Sequence, residues 1–133
     1  MKVITFGNFD IIHPGHIAYL KFAKLQGSKL YTIVATDYFS EKIKGRVNIN
    51  KEDKRKQDII KLNIADVVLL GSKTNPFESI LKIKPDVIVL GYDQKAPINE
   101  IKKLFPKIKI LKAPEFKPSI FKSSIIKKNA KLN

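Results

Sequence analysis

The chain has 133 residues, of which 44% are hydrophobic and none is cysteine. This length suits a single domain, residues 1–133, and the composition excludes a disordered chain, a disulfide scaffold and a thiolate metal site. The formal net charge of +14 predicts anionic partners, either phosphorylated small molecules or nucleic acid. Nearly all of the basic residues are lysines spread along the chain, which disfavours a dedicated nucleic-acid interface.

The apolar runs of the chain are all short. None approaches the roughly 20 residues that span a bilayer. Lys2 is followed by a short β-branched run that soon reaches Gly7, a pattern unlike that of a secretory leader. We therefore expect a cytoplasmic protein that does not enter a membrane.

Short apolar runs alternate along the chain with segments of helical pattern. In order, the pattern predicts a strand at 2–6, a helix at 14–26, a strand at 29–35, a polar loop at 36–50, a helix at 51–62, a strand at 67–70, a helix at 76–83, a strand at 87–90, a helix at 98–105, a short strand at 109–111 and a last helix at 123–131. Pro14 suits a first helical turn, Gly27 suits a helix stop, and Asn50 suits a helix cap.

Strands separated by helices of this length form βαβ units, which build a parallel sheet with right-handed crossovers. The predicted fold class is therefore α/β, with five parallel strands in a three-layer α/β/α arrangement. Ligands of such sheets bind beyond the carboxyl ends of the strands, near the point where the strand order reverses. Three places follow from this rule: after Phe6, after Ala35 and after Leu90.

The first strand and the first helix are joined by residues 7–16, which read Gly-Asn-Phe-Asp-Ile-Ile-His-Pro-Gly-His. The free backbone N–H groups and the dipole at a helix start favour an anion. His13 and His16 share one helix face there, and Gly15 lets a phosphate approach the backbone. These groups suit a triphosphate, because they stabilise charge that builds during phosphoryl transfer. Half of a protein metal site is the alternative, but the chain has no further histidine and no cysteine to complete it.

This segment resembles the signature of the cytidylyltransferase-like nucleotidyltransferases, matched by Gly7-x-Phe9-Asp10-x-x-His13-x-Gly15-His16. The resemblance implies a Rossmann-like fold and attack of a substrate phosphate on the α-phosphorus of a nucleoside triphosphate. Pyrophosphate is released, and Mg²⁺ or another divalent cation assists. The resemblance makes His13 and His16 catalytic residues on the triphosphate. It also assigns nucleotide binding to Gly7, Asn8, Phe9, Asp10 and Gly15.

The same resemblance extends to the loop after the second strand and to the helix that follows it. It implies that phosphate or acceptor binding involves Lys42, Lys44, Arg46 and Arg55, and that Lys44 is also catalytic. A guanidinium binds a phosphate in a bidentate way that an ammonium cannot match, which favours Arg55. Asp37 is expected to order the loop.

Two later segments resemble the rest of the family's nucleotide site. Gly91, Tyr92 and Asp93 follow the fourth strand and correspond to the base and ribose site, although an ordinary turn is the alternative. Near the end of the chain, the resemblance implies nucleotide binding by Ser123 and Ser124 at a helix start, with Lys122 as a phosphate ligand.

Two subfamilies fit the chain. Archaeal-type FAD synthases, which adenylylate FMN, are resembled by four segments of this sequence: His-Pro-Gly-His, Ile-Val-Leu-Gly-Tyr-Asp-Gln, Phe-Lys-Ser-Ser and Lys-Gly-Arg. These favour ATP and FMN as substrates over the CTP and glycerol 3-phosphate of a glycerol-3-phosphate cytidylyltransferase. Phosphopantetheine and sugar phosphates stay open as acceptors, as does a non-catalytic nucleic-acid-binding module. Related small enzymes are often dimers, so we also expect a homodimer.

Overall fold

The computed structural model of the protein describes residues 1–116. Its elements are β1 (Lys2–Gly7), α1 (Pro14–Lys24), β2 (Lys29–Val34), α2 (Glu52–Leu62), β3 (Val67–Leu70), α3 (Phe77–Ile83), β4 (Val87–Leu90), α4 (Ile98–Leu104) and β5 (Lys109–Lys112). Each begins and ends within about two residues of its predicted bounds. The helix predicted at 123–131 lies outside the described residues. In the part of the chain that the structure describes, no helix is long and apolar enough to cross a membrane.

The strands of residues 1–116 form one parallel sheet in the order β3-β2-β1-β4-β5. The central strand is β1, whose Thr5 pairs with Thr32 of β2 on one side and with Val89 of β4 on the other. The chain winds outward from β1 to β3 and then returns to place β4 on the opposite side of β1. The strand order therefore reverses between β1 and β4, and the predicted Rossmann-like α/β fold with a five-stranded parallel sheet is confirmed.

Helices cover both faces of the sheet, which explains why its strands are nearly continuous apolar runs. One face carries Ile4, Ile33 and Ile88 and packs against Ile80 of α3 and Ile101 of α4. On the other face, α1 and α2 pack over a second set of buried side chains, which includes Val3, Leu20, Ala23, Leu30, Val34, Ile59, Val87 and Val89. This packing makes the three layers and leaves the carboxyl edge of the sheet open.

The segment 36–50 differs from the plain loop that its polar composition predicts. Phe39–Ile43 forms one turn of π-helix. Asn50 does not cap α2, because Lys51 occupies the cap position and makes no side-chain hydrogen bond there. The Asn50 amide instead donates to the main-chain carbonyl of Asp10 at 2.6 Å. The predicted cap is wrong because a tertiary contact takes the asparagine side chain.

Candidate active site

A cavity of about 1000 Å³ opens at the carboxyl edge of the sheet. Its lining includes Gly7 at the end of β1, Ala35 after β2 and Gly91 after β4. These are the three places that the rule for parallel sheets predicts. Small-molecule sites span about 300–1,000 Å³, so this cavity has room for a nucleotide and a second substrate together.

His13 and His16 stand at the start of α1, where the first helical turn holds both imidazoles. His13 is the N-cap residue, and its Nδ1 accepts a hydrogen bond from the Gly15 amide at 3.1 Å. The Nδ1 of His16 accepts from the His13 amide at 3.3 Å. Because Nδ1 is the acceptor in each ring, the proton of each neutral imidazole lies on Nε2. The rings therefore carry N–H donors at a helix start, which favours an anion.

The two imidazole rings are stacked, with centroids 3.7 Å apart and planes 25° from parallel. Burial, and then the neighbouring His13, lower the pKa of His16 to about 4, while a backbone hydrogen bond with Ile11 acts in the opposite direction. His16 is therefore neutral at physiological pH. Its ring therefore offers a hydrogen-bond donor rather than a fixed positive charge.

We expect the His16 imidazole to titrate near pH 4 in the free protein and at a higher pH with ATP bound, because phosphate charge favours the imidazolium. The unfolded chain protonates this group near its ordinary pKa of 6.5. The unfolded state therefore binds more protons between these two values, and this contribution to stability falls as the pH falls from 6.5 to about 4.

NMR titration of the two histidines, with and without ATP, measures this pKa directly. The variant His13→Gln assigns the resonances and is expected to raise the pKa of His16, because the neighbouring titratable ring is gone. A His16 pKa close to 6.5 in the free wild-type protein would contradict the geometry of the pair.

Phe9 supports His16 from the core side. Its φ angle is +53°, which is rare for a bulky residue, and its ring is only 3% exposed. The ring meets His16 edge-on, with centroids 5.3 Å apart. A Cβ added at Gly7 would lie 2.5 Å from the same ring, so the close approach requires glycine. Phe9 lines the cavity, and its ring also contacts the His16 imidazole.

Asp10 and Asn8 tie the loop after β2 to the first βα turn. The two carboxylate oxygens of Asp10 accept hydrogen bonds from the amides of Ile49 and Asn50, each at 2.8 Å. These backbone hydrogen bonds are the main reason that the pKa of Asp10 is lowered. The side-chain amide of Asn8 donates a hydrogen bond to the side-chain oxygen of Asn48 at 2.7 Å. Both residues, predicted to bind nucleotide, line the cavity and also anchor the end of the loop.

The loop after β2, residues 36–50, is called the anchored loop below, because Asp10 and Asn8 hold its end. It carries three of the predicted basic site residues. Lys44 and Arg46 are exposed and line the cavity, whereas Lys42 is exposed but does not line it. The Nζ of Lys44 lies 5.7 Å from the ring centroid of Phe39. The Arg46 amide donates to the Ser40 carbonyl at 2.8 Å, which fixes the backbone from which its guanidinium extends. The structure thus brings two of these three cations to the wall of the cavity.

Arg55 has a different place from the one predicted. Its side chain is fully buried and is absent from the lining of the cavity. The guanidinium donates to the carbonyls of Asn8, Ala35 and Asn50 at 2.8–3.0 Å and to the Asp37 carboxylate at 2.7 Å. These contacts correct the predicted phosphate role, because the donors are taken by protein groups that surround the site. As expected, Asp37 helps to order this region.

The turn after β4 forms the other wall. Gly91, Tyr92 and Asp93 line the cavity, as does Gln94, which sequence analysis did not select as a site residue. The Gln94 side chain accepts from the Gly91 amide at 3.0 Å and donates to the Phe6 carbonyl at 3.1 Å. It therefore holds the end of β4 against the end of β1, at the reversal of strand order.

Tyr19 of α1 contacts the same two strands, β1 and β4. Its hydroxyl donates to the Val89 carbonyl at 2.7 Å and approaches the Phe6 carbonyl at 3.4 Å, and burial raises its pKa. Tyr19 lines the cavity. The sequence did not indicate this position, because a tyrosine in an amphipathic helix is usually an ordinary core residue. The predicted site residues Lys122, Ser123 and Ser124 lie outside the described residues.

The reversal of strand order, with a helix start and two imidazole N–H donors beside it, defines a nucleotide-binding α/β protein. The profile of the family described as cytidylyltransferase-like matches residues 4–129. The chain therefore belongs to the cytidylyltransferase-like family, as its first motif predicts. Membership supports nucleotidyltransferase-like function.

Individual relatives add detail. The chain is 42% identical over 103 residues to the FAD synthase of Methanohalobium evestigatum, an alignment that spans 77% of this chain and 67% of that protein. The lipopolysaccharide core biosynthesis protein from Thermoplasma volcanium GSS1 is 34% identical, with a TM-score of 0.82 over 88% of this chain and 98% of that one. The pantoate-beta-alanine ligase from Francisella tularensis, complexed with beta-gamma ATP and beta-alanine, shares the fold at 18% identity, with a TM-score of 0.64 over 89% of this chain and 60% of that one.

Proposed function

We propose that the protein is an FMN adenylyltransferase, which transfers AMP from ATP to FMN and releases pyrophosphate. The observation that carries this proposal is the stacked pair of His13 and His16 at the start of α1. The pair directs imidazole N–H donors and the positive end of the helix toward one anion. The FAD synthase relative at 42% identity supports ATP as the donor and FMN as the acceptor.

In the proposed reaction, a phosphate oxygen of FMN attacks the α-phosphorus of ATP. A bond forms between these two atoms, and the bond from the α-phosphorus to the oxygen that bridges to the β-phosphorus breaks. Pyrophosphate leaves with that electron pair, while negative charge builds on the α-phosphate oxygens. His13 and His16 donate hydrogen bonds to this charge. Catalysis of this kind depends on positioning and electrostatic stabilisation, with no covalent intermediate on the protein.

The other walls of the cavity would bind the remaining parts of ATP. We infer that Lys44, as a catalytic residue, and Arg46 contact the β- and γ-phosphates from the anchored loop, because both are exposed at the cavity. Gly91, Tyr92 and Asp93 would receive the base and ribose. Phosphate roles for Lys42 and Lys122, and nucleotide binding by Ser123 and Ser124, stay predictions from the family resemblance.

Mg²⁺ or another divalent cation fits this site as part of the nucleotide rather than as a resident ion. Residues 1–116 contain no cluster of three or more histidine, aspartate or glutamate side chains that could hold a metal. The Asp10 carboxylate is already occupied by two backbone amides. Mg²⁺ commonly binds through substrate phosphates and retained waters, so the triphosphate would supply its ligands and the cation would neutralise the departing pyrophosphate.

The experiment that tests the proposal measures pyrophosphate release with Mg²⁺ and each pairing of ATP or CTP with FMN or glycerol 3-phosphate. We expect release with ATP and FMN, together with formation of FAD. Release with CTP and glycerol 3-phosphate alone would replace the proposal with a glycerol-3-phosphate cytidylyltransferase. No release with any pair, combined with nucleic-acid binding that weakens steeply with salt, would indicate a binding module instead.

A further inference from the structure

The lining of the cavity also includes apolar side chains from the face of the sheet that α3 and α4 cover. We define this part of the lining as the apolar wing, formed by Phe6, Phe77, Ile80, Leu90, Ala96 and Ile101. All six belong to, or pack against, the core cluster between the sheet and the helices α3 and α4. The cavity therefore borders the apolar layer between the sheet and these helices.

Buried side chains form the floor of the apolar wing. Ile80 and Leu90 are each 2% exposed and Ile101 is 4% exposed, yet all three line the cavity. Their side chains have no hydrogen-bonding groups. A phosphate or a ribose placed there would lose its hydrogen bonds to water without replacement, whereas a flat aromatic ring would gain by leaving water.

The apolar wing and the histidine site meet at the end of β1. Phe6 packs in the cluster that forms the wing, and the next residue, Gly7, lies against the Phe9 ring that supports His16. Consecutive Cα atoms are only about 3.8 Å apart, so the wing and the group that supports His16 begin at neighbouring residues of β1. One ligand can therefore reach both sites if a short polar chain joins its anionic end to a flat apolar end.

We propose that the apolar wing binds the apolar dimethylbenzene end of the isoalloxazine ring of FMN, while the FMN phosphate lies beside the ATP α-phosphate that His13 and His16 contact. This inference rests on the proposed function and adds to it the place of the acceptor and the reason for its choice. Phe6 and Phe77 offer aromatic surface to the ring. Glycerol 3-phosphate has no apolar part and would leave the wing unfilled, so the wing selects an acceptor that carries an aromatic ring system.

Two variants test the wing in opposite ways, and one control is matched to them. Phe77→Ala removes aromatic surface from the wing, and Ala96→Phe fills its space. Leu81→Ala truncates a side chain on the same helix as Phe77, but Leu81 is 56% exposed and does not line the cavity. The measurements are the KM for FMN and for ATP, and the Kd for FMN from quenching of flavin fluorescence. Circular dichroism checks that each variant is folded.

We expect each wing variant to raise both the KM and the Kd for FMN by about tenfold or more, since loss of one good apolar contact is worth about that factor. The KM for ATP and the behaviour of Leu81→Ala should stay within about twofold of wild type. Riboflavin, which has the ring but no phosphate, should compete with FMN in the wild-type protein, and glycerol 3-phosphate should not.

The outcomes separate the two proposals. If the wild-type protein makes FAD but Ala96→Phe is folded and binds FMN with unchanged affinity, and riboflavin does not compete, the wing is not the flavin site and the proposed function stands. If the wild-type protein makes no FAD and uses glycerol 3-phosphate, the proposed function fails and the inference fails with it. The riboflavin result keeps the inference testable even if Phe77→Ala does not fold.

Discussion

Replacing His16 with alanine is expected to lower kcat for pyrophosphate release by about 10²–10³-fold, the range measured when one donor to a developing oxyanion is removed. The expected loss is large because His16 is held by three independent features. Its Nδ1 is fixed by the His13 amide, its ring stacks on His13, and its edge contacts Phe9. An imidazole that is positioned before substrate arrives needs no reorganisation as charge builds.

The controls for this prediction separate chemistry from folding. His16→Gln keeps an N–H donor and should retain more activity than His16→Ala. Lys21→Ala changes an exposed residue of the same helix that does not line the cavity, so it should match wild type. The KM for ATP should change less than kcat, because the contact strengthens in the transition state. Activity of a folded His16→Ala variant within a few-fold of wild type would show that the histidine pair is not the catalytic centre.

The fold follows from local pattern to a large extent. Each strand of the sheet was predictable because strands covered on both faces need continuous apolar runs, and Pro14 marks the start of the first helix. The position of the site was also predictable, since the strand-reversal rule needs only the order of elements. His13 and His16 stood out because they are the chain's two histidines and lie at one helix start.

Contacts between distant segments were less predictable. The type of residue at Arg55 suggested a phosphate ligand, but burial decides its role, and burial depends on Asn8 and Ala35, which lie 47 and 20 positions away. The apolar wing could not be predicted from the sequence for a similar reason. Ile80 and Ile101 carry the ordinary periodicity of core residues, and nothing local shows that they also line the cavity.

Replacement of Arg55 by methionine is expected to destabilise the protein by about 3–5 kcal/mol, because its fully buried guanidinium donates to several protein acceptors and each buried acceptor left without a donor costs about 1–3 kcal/mol. Methionine keeps much of the side-chain volume but removes every donor. The carbonyls of Asn8, Ala35 and Asn50 and the carboxylate of Asp37 then lose a hydrogen bond at once. For a chain of this size the expected fall in Tm is on the order of 10 °C, measured by thermal unfolding followed by circular dichroism.

The neighbouring residue supplies the matched control. Lys54 makes an exposed ion pair with Asp58, and exposed pairs contribute only about 0–1 kcal/mol, so Lys54→Ala should unfold close to wild type. Removing both charges in Arg55→Met with Asp37→Asn should recover part of the loss, because the carboxylate no longer lacks its partner. A Tm of Arg55→Met equal to that of Lys54→Ala would contradict the buried network.

The loss of stability expected for Arg55→Met should depend on pH, because Arg55 pairs with the Asp37 carboxylate. Burial alone would raise the pKa of Asp37, but the hydrogen bonds from Arg55 and the Glu52 amide outweigh it, and the pKa lies below its ordinary value of 3.8. A lowered carboxyl pKa stabilises the fold above 3.8, and that contribution is lost as the pH falls through the folded value. The gap in Tm between wild type and Arg55→Met should therefore be full at neutral pH and narrow in acid. Because the same guanidinium joins the first βα turn to the anchored loop, the stability of this network and the geometry of the candidate site should change together.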